Sequence, residues 1–379
     1  MEAGMVDYAR RLDSIRSIMV KHDLDACILF GIETQEYISG SYQHGAPTAV
    51  LVPVEKDPVM ITHAYELSRA KHESWLKDIR SFTMYGYERP VRGFLDTISD
   101  VTNEYGLNKA RIGIEEDTVT IATYNSLKKL LLGAKFEDCS SVITEAIMVP
   151  SKEEIKILRS VAEIGDVGAL TAMKLIEPGI TELDVAGEID RALYRAGAHH
   201  LWFPTCVGSG YRSCFVVPYA TEKIIQSGDM VLIDYGWVYR GFHGDFATSF
   251  ALGKPTKEQE ALMGAVIKVT NSAIERIKPG VTGEEIDRSN RNMLKELGYE
   301  EYMLASSGRN INIKHHTEPW LRRGSKYELK EGMVLITGVT IQKPGVGGMR
   351  LDNMVLVRED GCESLTKMPK EVSSLLLEG

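Results

Sequence analysis

Three aspartates have the sequence settings that most clearly suit chemistry in this 379-residue chain. Asp234 follows the apolar run 231–233, Asp245 follows a short turn, and Asp352 lies inside the apolar stretch 349–357. Neighbouring carboxylates repel each other, so an apolar setting favours either a proton on one of them or a cation between them. The plainer alternative is that these are ordinary aspartates at turns or strand ends, exposed to water.

Basic side chains lie close to two of these aspartates in the sequence. Arg350 is two residues before Asp352, and His243 is two residues before Asp245. Residues two apart on a strand point to the same face, so each pair can share a site. A charge within an apolar strand must be paired, bound to metal or on an exposed face.

Two adjacent histidines follow in the segment 307–321. His315 and His316 would point to opposite sides of an extended chain, so we expect only one of them to face a site. Either histidine alone is more often an exposed or hydrogen-bonded residue than a functional one.

The elements that would position these residues can be predicted from the pattern. An apolar strand ends in Asp234, a turn is expected at 239–241, and a second strand carries Asp245. Such a hairpin brings the two carboxylates together. An internal repeat supports a larger duplication: the segment 176–181 recurs 101 residues later at 277–282, and each copy continues as a helix to a glycine. We therefore predict a pseudo-twofold α+β domain with a pocket between its two halves.

The first part of the chain has a different organisation. Helical and strand patterns alternate up to about Val149, which indicates an open α/β domain. Ser151 is a suitable N-cap for a long helix, with Glu153 and Glu154 in its first turn. We predict two domains, residues 1–149 and residues 150–379.

Composition excludes several classes of protein. The formal net charge is −9, and the chain has neither a run of Lys and Arg nor an apolar run of the length that a membrane helix needs. The five cysteines are scattered and form no CxxC pair. We expect a cytoplasmic protein without a nucleic-acid or membrane partner.

Several segments together resemble one known family. The stretches 203–210 (FPTCVGSG), 231–236 (VLIDYG), 241–245 (GFHGD) and 347–357 (GGMRLDNMVLV) are similar to motifs of the prolidase, aminopeptidase P and creatinase family. The resemblance implies the pita-bread fold, an α+β catalytic domain with an internal pseudo-twofold repeat, preceded by a smaller α/β creatinase-like domain.

The resemblance also implies a degenerate metal site. The family holds two divalent metals with two Asp, one His and two Glu, and Asp234, Asp245 and Asp352 match three of these positions. Arg309 stands where the His is expected, and Gly338 stands where the first Glu is expected. The implied cofactor is one divalent metal ion (Mn, Co, Mg or Zn) or none. If the motif alignment is right, replacing Arg309 by His and Gly338 by Glu should raise metal affinity.

The same resemblance assigns the remaining candidate residues. His316 matches a histidine of the family site, and together with His243 it is our candidate for proton transfer. The candidates for substrate contact are Arg309, Arg350, Tyr211 and Arg212.

We expect an enzyme, a hydrolase that cleaves a C–N bond in a small peptide or peptide-like substrate in the manner of an Xaa-Pro dipeptidase. One alternative is a metal-independent, creatinase-like amidinohydrolase. A second alternative is a non-catalytic member that binds peptides. The resemblance also implies a homodimer.

Overall fold

The computed structural model describes residues 6–83, 93–368 and 371–379. The chain forms two compact units, the first ending at Ile147 and the second beginning at Met148. Within the described residues, no helix combines the length and the apolar character that crossing a membrane requires.

The first unit is built on a six-stranded mixed sheet with the order β4-β3-β2-β1-β5-β6. Its strands are β1 (Ala26–Leu29), β2 (Ala49–Pro53), β3 (Val59–His63), β4 (Asp78–Phe82), β5 (Arg111–Ile114) and β6 (Lys135–Asp138). Its helices are α1 (Tyr8–Lys21), α2 (Ile32–Ser39), α3 (Leu67–Glu73), α4 (Phe94–Glu104), α5 (Ile121–Leu130) and α6 (Ser140–Ile147). Strand β1 pairs in parallel with β5 and antiparallel with β2. Ala26 and Ile28 of β1 pack in the hydrophobic core of this unit.

The second unit contains two similar pairs of helices. They are α7 (Lys152–Leu175) with α8 (Glu182–Ala196), and α9 (Lys257–Arg276) with α10 (Gly283–Glu296). Each helix begins with a capping box, in which the side chains of the N-cap and of the third helical residue bond to each other's backbone N–H. The four N-caps are Ser151, Thr181, Thr256 and Thr282.

The predicted duplication extends to matching backbone contacts. Gly179 N–H donates to the carbonyl of Ile225 at 3.0 Å, and Gly280 N–H donates to the carbonyl of Leu329 at 2.9 Å. Both glycines have positive φ, 103° and 82°, so the chain makes the same turn after each first helix.

Two sheets accompany these helices, with orders β15-β9-β8-β7 and β11-β10-β12-β13-β14. The strands of the first sheet are β7 (His200–Ser209), β8 (Met230–Tyr239), β9 (Phe242–Leu252) and β15 (Leu376–Leu377). Those of the second are β10 (Gly308–Asn310), β11 (Thr317–Trp320), β12 (Val334–Lys343), β13 (Gly347–Arg358) and β14 (Gly361–Ser364). Short 3₁₀ helices span Gly210–Cys214, Glu300–Tyr302 and Val372–Leu375.

The two sheets meet where β9 lies beside β13. The hydroxyl of Ser249 on β9 accepts a hydrogen bond from Arg350 N–H on β13 at 3.0 Å. Helix α7 covers the first sheet closely because Gly168 has no side chain: a Cβ there would lie 2.8 Å from the ring of Tyr235. Tyr235 donates its hydroxyl to the carbonyl of Gly165 at 2.7 Å.

Candidate functional site

The β8–β9 hairpin brings Asp234 and Asp245 onto one face. Tyr239 pairs with Phe242, and the two residues between them, Arg240 and Gly241, have φ of 52° and 77°, as a tight hairpin turn with two left-handed residues needs. Asp234 pairs with Ala247, which is two residues beyond Asp245 on the same strand. The two aspartates are therefore diagonal neighbours across the hairpin.

The β12–β13 hairpin supplies the third aspartate and an arginine. Asp352 lies directly opposite Gly338, and Arg350 lies opposite Thr340. Arg350 and Asp352 share a face, as their spacing of two residues predicts.

A buried ion-pair network joins these residues. The guanidinium of Arg350 pairs through Nη1 with Asp234 Oδ2 and through Nη2 with Asp352 Oδ2, the latter at 2.7 Å. Arg309, on β10, pairs through Nη2 with Asp245 Oδ2. The three aspartates are 3–8% exposed, so water screens these pairs little. We refer to these five residues as the aspartate–arginine centre.

Burial and charge separate the proton affinities of the carboxyl groups. Burial raises the pKa of Asp234 to about 7, although Arg350 opposes the rise. Burial also acts to raise the pKa of Asp245, but the charges of Arg309 and Arg350 outweigh it and lower the pKa of that carboxyl. Burial raises the pKa of Asp352 in spite of Arg350. The Asp234 carboxyl thus exchanges its proton near neutral pH, while Asp245 on the same hairpin stays ionised.

Some buried polar atoms of the centre and of His243, next to it on β9, lack a hydrogen-bond partner. Asp234 Oδ1, Asp245 Oδ1 and His243 Nδ1 are buried atoms with no such partner. Unsatisfied buried groups are costly in a folded protein, and they mark places where a ligand can supply the missing donor or acceptor.

Aromatic rings lie next to the centre. Trp202 stacks on His315 with centroids 4.0 Å apart, and the His316 ring lies 5.3 Å from Trp320. The guanidinium carbon of Arg309 lies 5.8 Å from the Trp320 ring centroid. These contacts connect the rings to the aspartate–arginine centre.

The prediction for the adjacent histidines was wrong. The ring centroids of His315 and His316 are 4.3 Å apart, and the two rings contact Trp202 and Trp320, respectively. Both can lie on this side because residues 312–316 bend and do not form an extended strand. Burial and the nearby charge of Arg309 lower the pKa of His316 to about 4. Burial and His315 lower the pKa of His243 to about 3. Both rings are therefore neutral at pH 7.

Two predicted substrate contacts have other surroundings. Arg212 Nε donates to the fully buried carboxylate of Glu182 at 3.0 Å, and its Nη2 donates to the carbonyl of Tyr219 at 2.5 Å. Both hydrogen bonds therefore fix the segment that follows β7, in which Arg212 itself lies. Tyr211 is 71% exposed, with its ring next to Phe215. Tyr211 and Arg212 are therefore not part of the aspartate–arginine centre.

The residues present do not fit a two-metal centre. Arg309 replaces one ligand with a permanent cation, and Gly338 replaces another with no side chain. A Cβ at position 338 would overlap the carbonyl oxygen of Leu351 and come within 2.5 Å of Asp352 Oδ1, so the backbone has no space for the Glu that was expected to raise metal affinity. In the described chain, the ligand oxygens of the three aspartates do not all lie within 4.8 Å of one another.

Some contributors could not be selected from the sequence. Trp202 stands just before the FPTCVGSG segment, but only the fold shows that it stacks on His315. Ser249 carries no sequence signal, yet it accepts from Arg350 N–H and so fixes the backbone of that arginine.

Family models match most of the chain. Residues 156–359 match the model described as metallopeptidase family M24. Residues 11–149 match the model of the creatinase/prolidase N-terminal domain.

Similar proteins and structures extend over nearly the full length. An Xaa-Pro dipeptidase of Pyrococcus horikoshii is 28% identical over 365 residues, which cover 96% of this chain and 98% of that protein. An uncharacterised peptidase of Bacillus subtilis, YqhT, is 31% identical over 73% of this chain and 78% of its own length. The solved structure of an Xaa-Pro dipeptidase from Bacillus anthracis is 27% identical, with a TM-score of 0.86 and coverage of 98% of this chain and 100% of that one.

Proposed function

Because the chain belongs to metallopeptidase family M24, we propose that it hydrolyses a C–N bond in a small peptide or peptide-like substrate. The observation that carries this proposal is the pair Asp234 and Asp245. Asp234, whose pKa is raised, can hold the proton that an acid donates, and the ionised Asp245 beside it interacts with the neutral ring of His316, which can act as the base. The family relatives named Xaa-Pro dipeptidase make Xaa-Pro dipeptides the first substrates to test.

Each acid and base group then has a defined task. The neutral ring of His316 accepts a proton from the attacking water, and the protonated carboxyl of Asp234 donates its proton to the leaving nitrogen. The water oxygen forms the new bond to the carbonyl carbon, and the C–N bond breaks. The products are a carboxylic acid and an amine. The proton on His316 then returns to Asp234 through solvent, which completes the cycle.

The arginines keep the centre in position during this reaction. Arg350 holds Asp234 beside Asp352, and Arg309 keeps Asp245 ionised. The unpartnered Oδ1 of Asp245 can accept a hydrogen bond from a substrate N–H group, and the unpartnered Oδ1 of Asp234 can carry the proton that Asp234 donates. No step in this scheme requires a metal-bound hydroxide.

A creatinase-like amidinohydrolase is the second candidate. It is favoured by one observation, namely that guanidinium groups already pair with all three carboxylates of the centre. Carboxylates arranged for guanidinium groups suit a substrate with an amidine or guanidino nitrogen. The bond that breaks is again C–N, so the same acid and base residues serve both candidates.

A substrate panel tests the proposal. The purified chain is assayed with a dipeptide library that includes Xaa-Pro members, and with creatine and related guanidino acids, each with EDTA and with added Mn²⁺. We expect turnover of at least one class of C–N substrate and loss of that turnover in Asp234→Asn. Cleavage of guanidino acids alone selects the second candidate. No turnover of either class contradicts both and leaves the peptide-binding alternative.

A matched control variant distinguishes a loss of activity at the site from a general effect of replacing a histidine. His72 is an exposed histidine on α3 in the first unit, so His72→Ala should keep full activity while His316→Ala loses it. We also propose a homodimer, from the family resemblance, and a cytoplasmic location, from the five scattered cysteines without a CxxC pair. Light scattering after size exclusion checks the dimer, and a mass of one chain contradicts it.

A further inference from the structure

We infer that the guanidinium of Arg309 is the fixed cation of the aspartate–arginine centre, that it excludes a divalent metal ion, and that removing it frees both oxygens of Asp245 and the unpartnered Oδ1 of Asp234 for such an ion. This inference rests on the centre used in the proposed function, but it does not depend on which substrate is cleaved. It explains how a member of a metallopeptidase family retains the carboxylates after two ligand positions have changed.

Arg309 is held firmly at two ends. Its Nη2 pairs with Asp245, and its Nε donates to the carbonyl of His315 at 2.6 Å. The side chain is only 7% exposed. Because the head group is planar and permanently charged, it fills the space beside Asp245 as a cation that pH cannot remove. A metal ion approaching Asp245 would therefore meet a buried like charge.

Without Asp245, the other carboxylates of the centre offer no metal site. Arg350 occupies one oxygen each of Asp234 and Asp352. Position 338, where a further carboxylate would be required, has no room for a Cβ against the Leu351 carbonyl. A divalent ion needs several oxygen ligands at short distances, and two arginines at this centre oppose that arrangement.

Metal binding can be measured without any turnover. Wild type, Arg309→Ala and Arg309→Gln are dialysed against Mn²⁺ and then against metal-free buffer, and retained metal is measured by mass spectrometry. Thermal unfolding is followed with and without Mn²⁺. We expect the wild type to retain far less than one ion per chain and to show no Mn²⁺-dependent rise in Tm. Both variants should retain Mn²⁺ and unfold at higher temperature when it is present.

A matched control tests whether the position of the charge matters. Arg322 also packs on the Trp320 ring, at 4.9 Å, but it pairs with Glu318 and is half exposed. Arg322→Ala should behave like wild type in both measurements. Methylguanidinium should raise the Tm of Arg309→Ala and leave that of Arg322→Ala unchanged.

Several results would overturn the inference. The first is about one Mn²⁺ retained per wild-type chain, a measurement that does not depend on any variant folding. The second is a folded Arg309→Ala or Arg309→Gln that gains neither metal nor a Tm shift. A wild type that is active and binds metal would contradict this inference but support the hydrolase proposal. A wild type that is inactive and free of metal would support this inference but contradict the hydrolase proposal.

Discussion

Asp352 lies directly opposite Gly338 on the neighbouring strand, and this glycine is what lets the two strands close around the carboxylate. A Cβ at 338 would overlap the Leu351 carbonyl and come within 2.5 Å of Asp352 Oδ1. This strand pairing therefore places Gly338, where the family has a glutamate, directly opposite Asp352, a carboxylate that this chain retains.

Gly338→Ala should destabilise the second unit by about 1–3 kcal/mol, the usual range for an overpacked buried site. Urea unfolding monitored by circular dichroism measures the change. Gly264 on α9 is the control, because a Cβ there meets nothing within 4 Å. Gly264→Ala should instead stabilise the helix by about 0.5–1 kcal/mol. A neutral Gly338→Ala would show that the strand backbone yields easily.

Arg309 and Asp245 should depend on each other for stability. Arg309→Met leaves the Asp245 carboxylate buried without its partner, and loss of one member of a buried pair costs about 3–5 kcal/mol. The double variant Arg309→Met/Asp245→Asn should recover a large part of this loss. Denaturant unfolding of the complete cycle measures the coupling. If the losses of the two single variants simply add, the pair is not coupled.

The stability of the protein should change with pH through Asp234. Its pKa is raised to about 7 by burial, so the folded chain holds this proton more tightly than the unfolded chain does. The contribution to stability is fully present below the ordinary carboxyl pKa and is lost as pH rises through 7. The unfolding free energy of wild type minus that of Asp234→Asn should therefore fall between about pH 4 and pH 7, the window between the ordinary and the raised pKa of this carboxyl.

This comparison uses a slope, so the constant cost of losing the Arg350 partner in Asp234→Asn does not affect it. Urea titrations at several pH values give the two curves. Parallel curves across that range would rule out a raised proton affinity at Asp234.

His316→Ala should lower kcat by about 10²–10⁴-fold if the ring is the general base. The pKa of His316 is lowered to about 4 by burial and Arg309, so the wild type should keep the neutral base well below pH 6. Steady-state kinetics on the substrate identified by the panel measure both effects. A variant that changes only KM would indicate a substrate contact without proton transfer.

The repeated capping boxes give a prediction that concerns stability alone. Thr282→Ala removes the hydroxyl that accepts from Glu285 N–H at 3.3 Å at the start of α10. The loss should be about 1 kcal/mol, the typical cost of an N-cap, without effect on activity. Thr181→Ala in the other repeat should lose a similar amount at the start of α8. A large activity loss in Thr282→Ala would contradict a purely structural role.

Much of the architecture follows from local patterns. The hairpin turn at Arg240–Gly241, the N-cap at Ser151 and the repeat at a spacing of 101 residues were all predictable, because turn and cap chemistry involve residues close in sequence. The pita-bread fold with a smaller N-terminal domain, expected from the motifs, is confirmed by the family matches and the solved structures. The prediction for His315 and His316 was wrong because it assumed an extended chain where the backbone bends.

The amino-acid sequence establishes which groups are available: three aspartates, an arginine at a family histidine position and a glycine at a family glutamate position. Which charges pair follows from the folded chain, since Arg309 and Asp245 are 64 residues apart and Asp234 and Arg350 are 116 apart. Ion pairing depends on distance and burial in space, and neither is contained in the spacing of residues along a chain.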